Sequence, residues 1–509
     1  MIENRNKKKN MSEKFYITTT LPYVNADPHI GFALEIVHAD AIARYRAKCG
    51  DEVFFNTGTD EHGVKIYRKA EEENMEVQAY VDEYAARFDR LKTALNLSYN
   101  NFIRTTDAHH VAAAQEFWRR CLAADDIYKK NYQVKYCIGC ELEKTDSELV
   151  DGKCPIHPTR DIEVINEENY FFRFSKYQEK LLSLYKECPD FVLPASRLKE
   201  IRTFVEGGLE DFSISRLKEK MPWGIAVPDD PAHVMYVWFD ALVNYISAIG
   251  WPEDEQKFNT WWPGTQVAGK DNLRQQSAMW QAMLLSAGLP ASKQILIHGF
   301  INSGGRKMSK STGNVVDPFS LAEKYGTDAL RFYLISQISF FEDSDFTEEK
   351  FLEGYNSHLA NSLGNLISRV LKMANQYFEG KISEKNGVEV PFKDGMSVKK
   401  YLEEEILPTY DRHMEQYELG KAAETVWVLL KRLDGYITDY EPYKLVKTDK
   451  ERTEAVLANL LFGINAAADM LSPFMPETSE KIHELLGSPK IDTTSFTVKT
   501  VDTPLFPRK

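Results

Sequence analysis

Near its start the chain carries a β-branched and aromatic run, KFYITTTLP, which Pro22 stops, and this predicts a strand. The period then changes. Ile30, Ala33, Leu34, Val37, Ala41, Ile42 and Tyr45 recur at helical spacing, with Lys48 and Gly50 as stop signals. Asp27 is expected to cap that helix and Pro28 to take its first position, which puts His29 in the first turn. A short strand at 53–55, the loop NTGTDEHG and another helix follow. Strand, loop, helix, strand is the opening of a parallel α/β sheet. The pattern returns further on. VMYVWF reads as a strand before DALVNYISAIG, and TQVAG as a strand before a helix carrying Leu273, Trp280 and Leu284. KQILIHGF runs into a loop rich in glycine and lysine, after which Asp317 and Pro318 open one more helix. Two α/β halves, 13–118 and 226–330, thus bracket an insert at 119–225. One sheet split by an insert is the preferred reading, with two separate α/β domains as the alternative.

After a linking segment at 331–348, residues 349–509 change character. Leu359, Leu363, Leu366, Val370 and Met373 share one helical stripe, long helical patterns recur near 415–438 and 451–471, and strand signals nearly vanish. This predicts a helical bundle.

Composition narrows the picture. No apolar run approaches the roughly 20 residues that span a bilayer, so no membrane partner is expected. Residues 1–12 are expected to be a polar, basic tail without the apolar core of a secretory signal. A net charge of −13 speaks against a basic coat but leaves room for a local RNA-binding patch. Six cysteines in 509 residues are too few for a disulfide scaffold, which points to a reducing, cytoplasmic setting. Three of them, Cys137, Cys140 and Cys154, cluster with His157 in CIGCELEKTDSELVDGKCPIH. That spacing across a short hairpin matches one closed, structural Zn2+ site with four protein ligands.

Three further stretches could carry chemistry. DPHIG follows a strand, so its helix start is an anion site where His29 can donate to a phosphate and Gly31 lets the ligand approach. NTGTDEHG follows the next strand, and Asp60 there could hold an ammonium group; a solvated turn is the competing explanation. HGFINSGGRKMSKSTGNVVDP places Lys307 and Lys310 on a loop with Gly304, Gly305 and Gly313. Taken one at a time, each could be ordinary surface. Together they end at one sheet edge, which suggests an ATP site.

HIG at 29–31 with KMSKS at 307–311 resembles the paired signatures of class I aminoacyl-tRNA synthetases. TLPYVNADPHIG, TGTDEHG, YVWFDALVNY, AGKD and KMSKS follow the order found in methionyl-tRNA synthetases, from about residue 13 to the end. The resemblance implies a Rossmann-like parallel sheet split by a zinc-binding insert, then an all-α anticodon-binding bundle. It implies activation of methionine by ATP with Mg2+ and transfer to tRNA(Met). His29, Lys307 and Lys310 would be catalytic, and Gly31, Gly269, Asp271 and Ser309 would join them around ATP. Tyr23, Asp60, Arg216, Trp238, Ala241, Tyr245 and Gln276 would bind methionine, while Asn365, Arg369 and Tyr443 would meet the anticodon. Three positions depart from the family pattern: Phe32 and Gln276 where histidines are common, and Tyr443 in place of a tryptophan. A nucleotidyltransferase built on the same HIG fold, and a non-catalytic tRNA- or zinc-binding relative, are the rival readings.

Overall fold

The computed structural model describes residues 12–140, 142–144, 148–308, 314–384, 388–487, 495–501 and 503–509. Its central sheet has six parallel strands. In spatial order they are Asn101–Arg104, Glu52–Thr59, Lys14–Thr19, Thr265–Gly269, Gln294–His298 and Val192–Leu193. Strands from both halves of the sequence therefore build one sheet. The sixth comes from within the stretch read as an insert. From Lys14–Thr19 the chain builds outward in one direction, and Thr265–Gly269 continues on the other side. That reversal leaves a crevice at the carboxyl ends of the strands, where open α/β sheets bind ligands.

Several local expectations need correction. The strand expected at VMYVWF ends at Met235, and the chain turns into the short helix Val237–Ala241. Asp230–Met235 also lies outside the main sheet, pairing antiparallel with Ser215–Leu217 and Ala226–Val227. A mixed run of β-branched and aromatic residues fits a buried helix as well as a strand, so periodicity could not separate them. The stretch NTGT, expected in a loop, is the end of Glu52–Thr59. Gly58 is needed there because a Cβ would lie 1.7 Å from the Ile103 carbonyl oxygen of the neighbouring strand.

The helix Ile30–Lys48 is buried on most sides, between the sheet and the elements that follow it. Asp40 in its middle is fully buried and meets the equally buried Arg331 at 2.7 Å. Arg331 also donates to the carbonyl oxygens of Leu95, Pro473 and Phe474. One guanidinium thus joins the helix Ile30–Lys48 to the C-terminal bundle. The apolar core is likewise continuous, running from Phe15 and Leu34 to Leu460 and Leu486.

The bundle contains Asn365–Phe378, Leu419–Tyr440, Lys450–Leu471 and Pro476–Leu486. A small antiparallel pair, Lys381–Ser383 with Ser495–Thr497, closes one side. Lys450–Leu471 corrects the sequence reading of apolar runs, since it is long and apolar enough to cross a membrane by length and composition. Most of it is buried inside the protein, as a core helix should be.

Candidate active site

A cavity of about 500 Å³ occupies the crevice. His29, Gly31, Tyr23, Asp60, Trp238, Ala241, Tyr245, Gly269, Asp271 and Gln276 all line it. They come from four separated stretches, 23–31, 60, 238–245 and 269–276; three of these follow strands of the parallel sheet, and the helix Val237–Ala241 brings the fourth alongside them.

His29 sits differently from the expectation. The helix begins at Ile30, and His29 itself is its N-cap, with Nδ1 accepting from the Gly31 N–H at 3.1 Å. Asp27 instead pairs with Arg87 at 2.6 Å. Because a backbone N–H can only donate, the neutral imidazole must carry its proton on Nε2. The ring surface opens to the cleft, yet the walls crowd out enough water that desolvation lowers its pKa. His29 is therefore a neutral donor with a fixed tautomer. Gly31 leaves no room for a side chain: a Cβ would stand 2.9 Å from His29 Cε1.

The lysine loop is tied to the same helix start. The Ile30 N–H donates to the Val316 carbonyl at 3.0 Å, just downstream of the loop. Met308, between the two lysines, lines the cavity. Ser309 and Lys310 lie outside the described residues, as does the side chain of Lys307.

Asp60 is fixed by backbone pairing with the segment around Tyr23. Its N–H donates to the Pro22 carbonyl at 3.0 Å, and its carbonyl accepts from Val24 at 3.2 Å. Gly63 adopts φ 115, and a Cβ there would meet Tyr23 Oη at 2.3 Å. At the other end, Gln276 lies in a π-helical turn and donates from Nε2 to Tyr245 Oη at 2.7 Å. Its Oε1 is buried without a hydrogen-bond partner among the described residues. Trp238, Ala241 and Tyr245 complete an aromatic, largely apolar wall.

Arg216 does not join this group. It lies buried under Tyr236, 4.5 Å from that ring, and donates to Ser213 Oγ at 2.7 Å and the Ser215 carbonyl at 2.8 Å. Its place in the antiparallel three-stranded sheet, and not on the main sheet, keeps it out of the cavity lining.

Sequence reasoning missed a buried pair on the cavity floor. Glu35 Oε2 meets His298 Nε2 at 2.8 Å, while Glu35 Oε1 accepts from the Thr20 N–H and hydroxyl. His298 Nδ1 faces the Gly299 carbonyl at 2.7 Å, so both ring nitrogens face acceptors. Burial pulls the His298 pKa down, but the Glu35 hydrogen bond and charge, the Gly299 carbonyl and Asp271 outweigh it and the net direction is up. The signal available was a Glu one helical turn past HIG and a His ending a predicted strand. A second network holds the Asp60 loop and the Trp238 helix together. Fully buried Asp240 accepts from His62 at 2.7 Å and His110 at 2.9 Å.

The metal-site expectation is met by geometry. Ligand atoms of Cys137, Cys140, Cys154 and His157 all lie within 4.8 Å of one another, so the cluster could hold a metal ion. Cys140 Sγ is 3.4 Å from Cys154 Sγ and 3.2 Å from His157 Nδ1. Gly139 is required between the first two ligands, because a Cβ would stand 2.3 Å from the His157 ring.

In the bundle, Asn365 is exposed at the start of Asn365–Phe378, one turn before Arg369. Arg369 pairs with Asp434 at 2.6 Å. Tyr443 is 45% exposed and donates to Glu441 at 2.9 Å. None of the three lines the cavity.

Comparison with known proteins agrees with this architecture. A family model described as tRNA synthetases class I (M) matches residues 15–371, and one described as the anticodon binding domain of methionyl tRNA ligase matches residues 394–502. A methionine–tRNA ligase of Thermosynechococcus vestitus is 43% identical over 484 residues, covering 94% of this chain and 90% of the relative. One from Bacillus subtilis is 40% identical, covering 93% and 73%. The solved Mycobacterium tuberculosis methionyl-tRNA synthetase in complex with methionyl-adenylate superposes with a TM-score of 0.93 at 36% identity, covering 97% of this chain and all of that one. The chain belongs to the class I tRNA synthetases (M).

Proposed function

We propose that the chain is a methionine–tRNA ligase. It joins methionine to ATP as methionyl-adenylate, releasing pyrophosphate, and then passes the methionyl group to the 3′ end of tRNA(Met). The observation that carries this reading is the cavity at the switch point of the sheet, which gathers a neutral histidine donor, a carboxylate and an aromatic pocket. The reaction needs little covalent help from protein. The nucleophile is the substrate carboxylate, already ionised at neutral pH, so positioning and electrostatics suffice.

In this reading Asp60 holds the substrate ammonium, and Tyr23, Trp238, Ala241 and Tyr245 enclose the thioether chain, whose sulfur favours aromatic edges. Gln276 bridges to Tyr245 and presents a polar edge to the side chain. ATP enters with Mg2+ along the HIG helix start. Gly269 and Asp271 face the nucleotide, and Gly31 allows close approach. The His29 Nε2–H points its donor at the phosphates. Lys307 and Lys310, with Ser309 between them, close over the β- and γ-phosphates as negative charge builds there. Arg216 would act on methionine only if its guanidinium reached the cavity from its place on Ser215–Leu217.

Cys137, Cys140, Cys154 and His157 fit Zn2+, since Zn–S bonds of about 2.3 Å put tetrahedral sulfurs about 3.8 Å apart. Four protein ligands leave no position for water, so the ion would fold the hairpin and take no chemical step. Asn365, Arg369 and Tyr443 would read the anticodon by hydrogen bonds and stacking, with the tRNA displacing Asp434 from Arg369. The domain reading is a flexible tail at 1–12, a catalytic domain at 13–118 and 226–330 around the 119–225 insert, a link at 331–348 and an anticodon domain at 349–509. The work of such an enzyme, charging tRNA for translation, is cytoplasmic.

ATP–pyrophosphate exchange measured with each of the standard amino acids tests this. Exchange with methionine alone supports the proposal; exchange with another amino acid, or with none, overturns it.

A further inference from the structure

The metal-ligating hairpin and the amino-acid end of the cleft touch in two places. Cys140, one of the four ligand residues, also lines the cavity. The Lys65 ammonium donates to the Gly139 carbonyl at 3.0 Å, on the two-residue turn between Cys137 and Cys140. Lys65 is the second residue of the helix Val64–Glu72, directly after the loop that carries Asp60. Its ammonium also lies 5.8 Å from the Tyr23 ring, the ring that Gly63 is shaped to admit. One cation therefore bridges the residues that face the substrate and the turn that must close around a metal. Electrostatics reinforce the bridge. Three thiolates and a neutral imidazole on a divalent cation leave one net negative charge beside Lys65.

We infer that Lys65 is a positioning residue that couples metal binding in the hairpin to methionine binding in the cleft. The inference rests on the functional reading above. A metal bound to Cys137, Cys140, Cys154 and His157 would hold Gly139 and Cys140 in place. Lys65 transmits that order to Tyr23 and the Asp60 loop. Coupling between two sites is reciprocal, so methionine must in turn tighten the hairpin on its metal.

The test uses the full-length, zinc-loaded protein. Zinc affinity is measured at equilibrium against a competing chromogenic chelator with and without saturating methionine, and methionine Kd by equilibrium dialysis, for wild type, Lys65→Met and Lys65→Arg. In wild type, methionine raises zinc affinity at least about fivefold, the low end of ordinary coupling. Lys65→Met keeps the aliphatic stem but loses the donor. Its methionine Kd rises by a similar factor, kcat for exchange stays within about twofold, and methionine no longer changes its zinc affinity. Lys65→Arg keeps the effect. A merely structural Lys65 would lower zinc affinity by the same factor with and without methionine. If wild type binds methionine but holds zinc with one affinity regardless, the coupling is refuted and the functional reading stands. If wild type binds no methionine, the functional reading itself fails. Should Lys65→Met not hold zinc, Lys65→Gln takes its place with the same expected and refuting results.

Discussion

His29 has two jobs that can be separated by substitution. Its Nδ1 caps the helix by accepting from Gly31 at 3.1 Å, and its Nε2–H is left for the nucleotide. Asparagine is a strong N-cap whose side-chain oxygen can replace Nδ1, but it does not reach as far as Nε2. Alanine supplies neither. Loss of the cap costs about 1 kcal/mol. Loss of one preorganised donor to the transition state costs about 3–4 kcal/mol, or about 10²–10³-fold in kcat. His29→Asn is therefore expected to lose about 10²–10³-fold in the rate of methionine-dependent ATP–pyrophosphate exchange, with its urea unfolding curve unmoved. His29→Ala should show the same kinetic loss and unfold about 1 kcal/mol more easily. The reasoning is refuted if His29→Asn keeps exchange within tenfold of wild type, or if it is as destabilised as His29→Ala.

Gln276→Leu leaves Tyr245 Oη without its donor and removes the polar edge, a loss of about 1–3 kcal/mol. Steady-state kinetics should show kcat/KM for methionine down by about tenfold to a hundredfold with KM for ATP unchanged; a drop in ATP binding instead would contradict the assignment. Arg331→Met takes from the buried Asp40 carboxylate one of its two arginine partners, Arg44 remaining at 2.7 Å, and leaves the Leu95, Pro473 and Phe474 carbonyls without their donor, which should cost about 3–5 kcal/mol in urea unfolding; a cost below about 1 kcal/mol would show that Arg331 does not pin the bundle. For His298 the sign follows from its raised pKa. The stability it contributes is complete below its unfolded value of about 6.5 and is lost as pH rises through the higher folded value. The wild-type urea midpoint should therefore fall on the alkaline side relative to His298→Gln, and parallel pH profiles for the two would exclude this contribution.

What could be read from the chain, and what could not, has a common physical cause. KFYITT, TQVAG and QILIH are short runs closed by Pro or Gly, and each became a strand of one parallel sheet. The lengths of Leu419–Tyr440 and Lys450–Leu471 were legible because their apolar stripes persist over many turns. Patterns with a period carry their own evidence. VMYVWF has no clear period, and only the antiparallel neighbours at Ser215–Leu217 and Ala226–Val227 decide where its strand stops. Val192–Leu193 is too short to announce itself and joins the sheet through Gln294–His298. The His29 cap was missed because Asp-Pro is the commoner helix opening, and a histidine capping through Nδ1 imitates it two residues later in the sequence. Tertiary partnerships were out of reach altogether. Glu35 with His298 and Asp240 with His62 and His110 are far apart in sequence and share no motif. Arg216 was placed by resemblance at the substrate carboxylate; its strand pairs antiparallel with Asp230–Met235, and it is absent from the cavity lining.

The central claim is that the helix start at His29 and the lysine loop act on one polyphosphate. A crystal structure with methionine and a non-hydrolysable ATP analogue bound measures that directly. The account predicts phosphate oxygens about 3 Å from His29 Nε2 and from the ammonium groups of both Lys307 and Lys310. Nucleotide phosphates seated away from His29, or lysine ammonium groups out of reach of the phosphates while the analogue is bound, would contradict it.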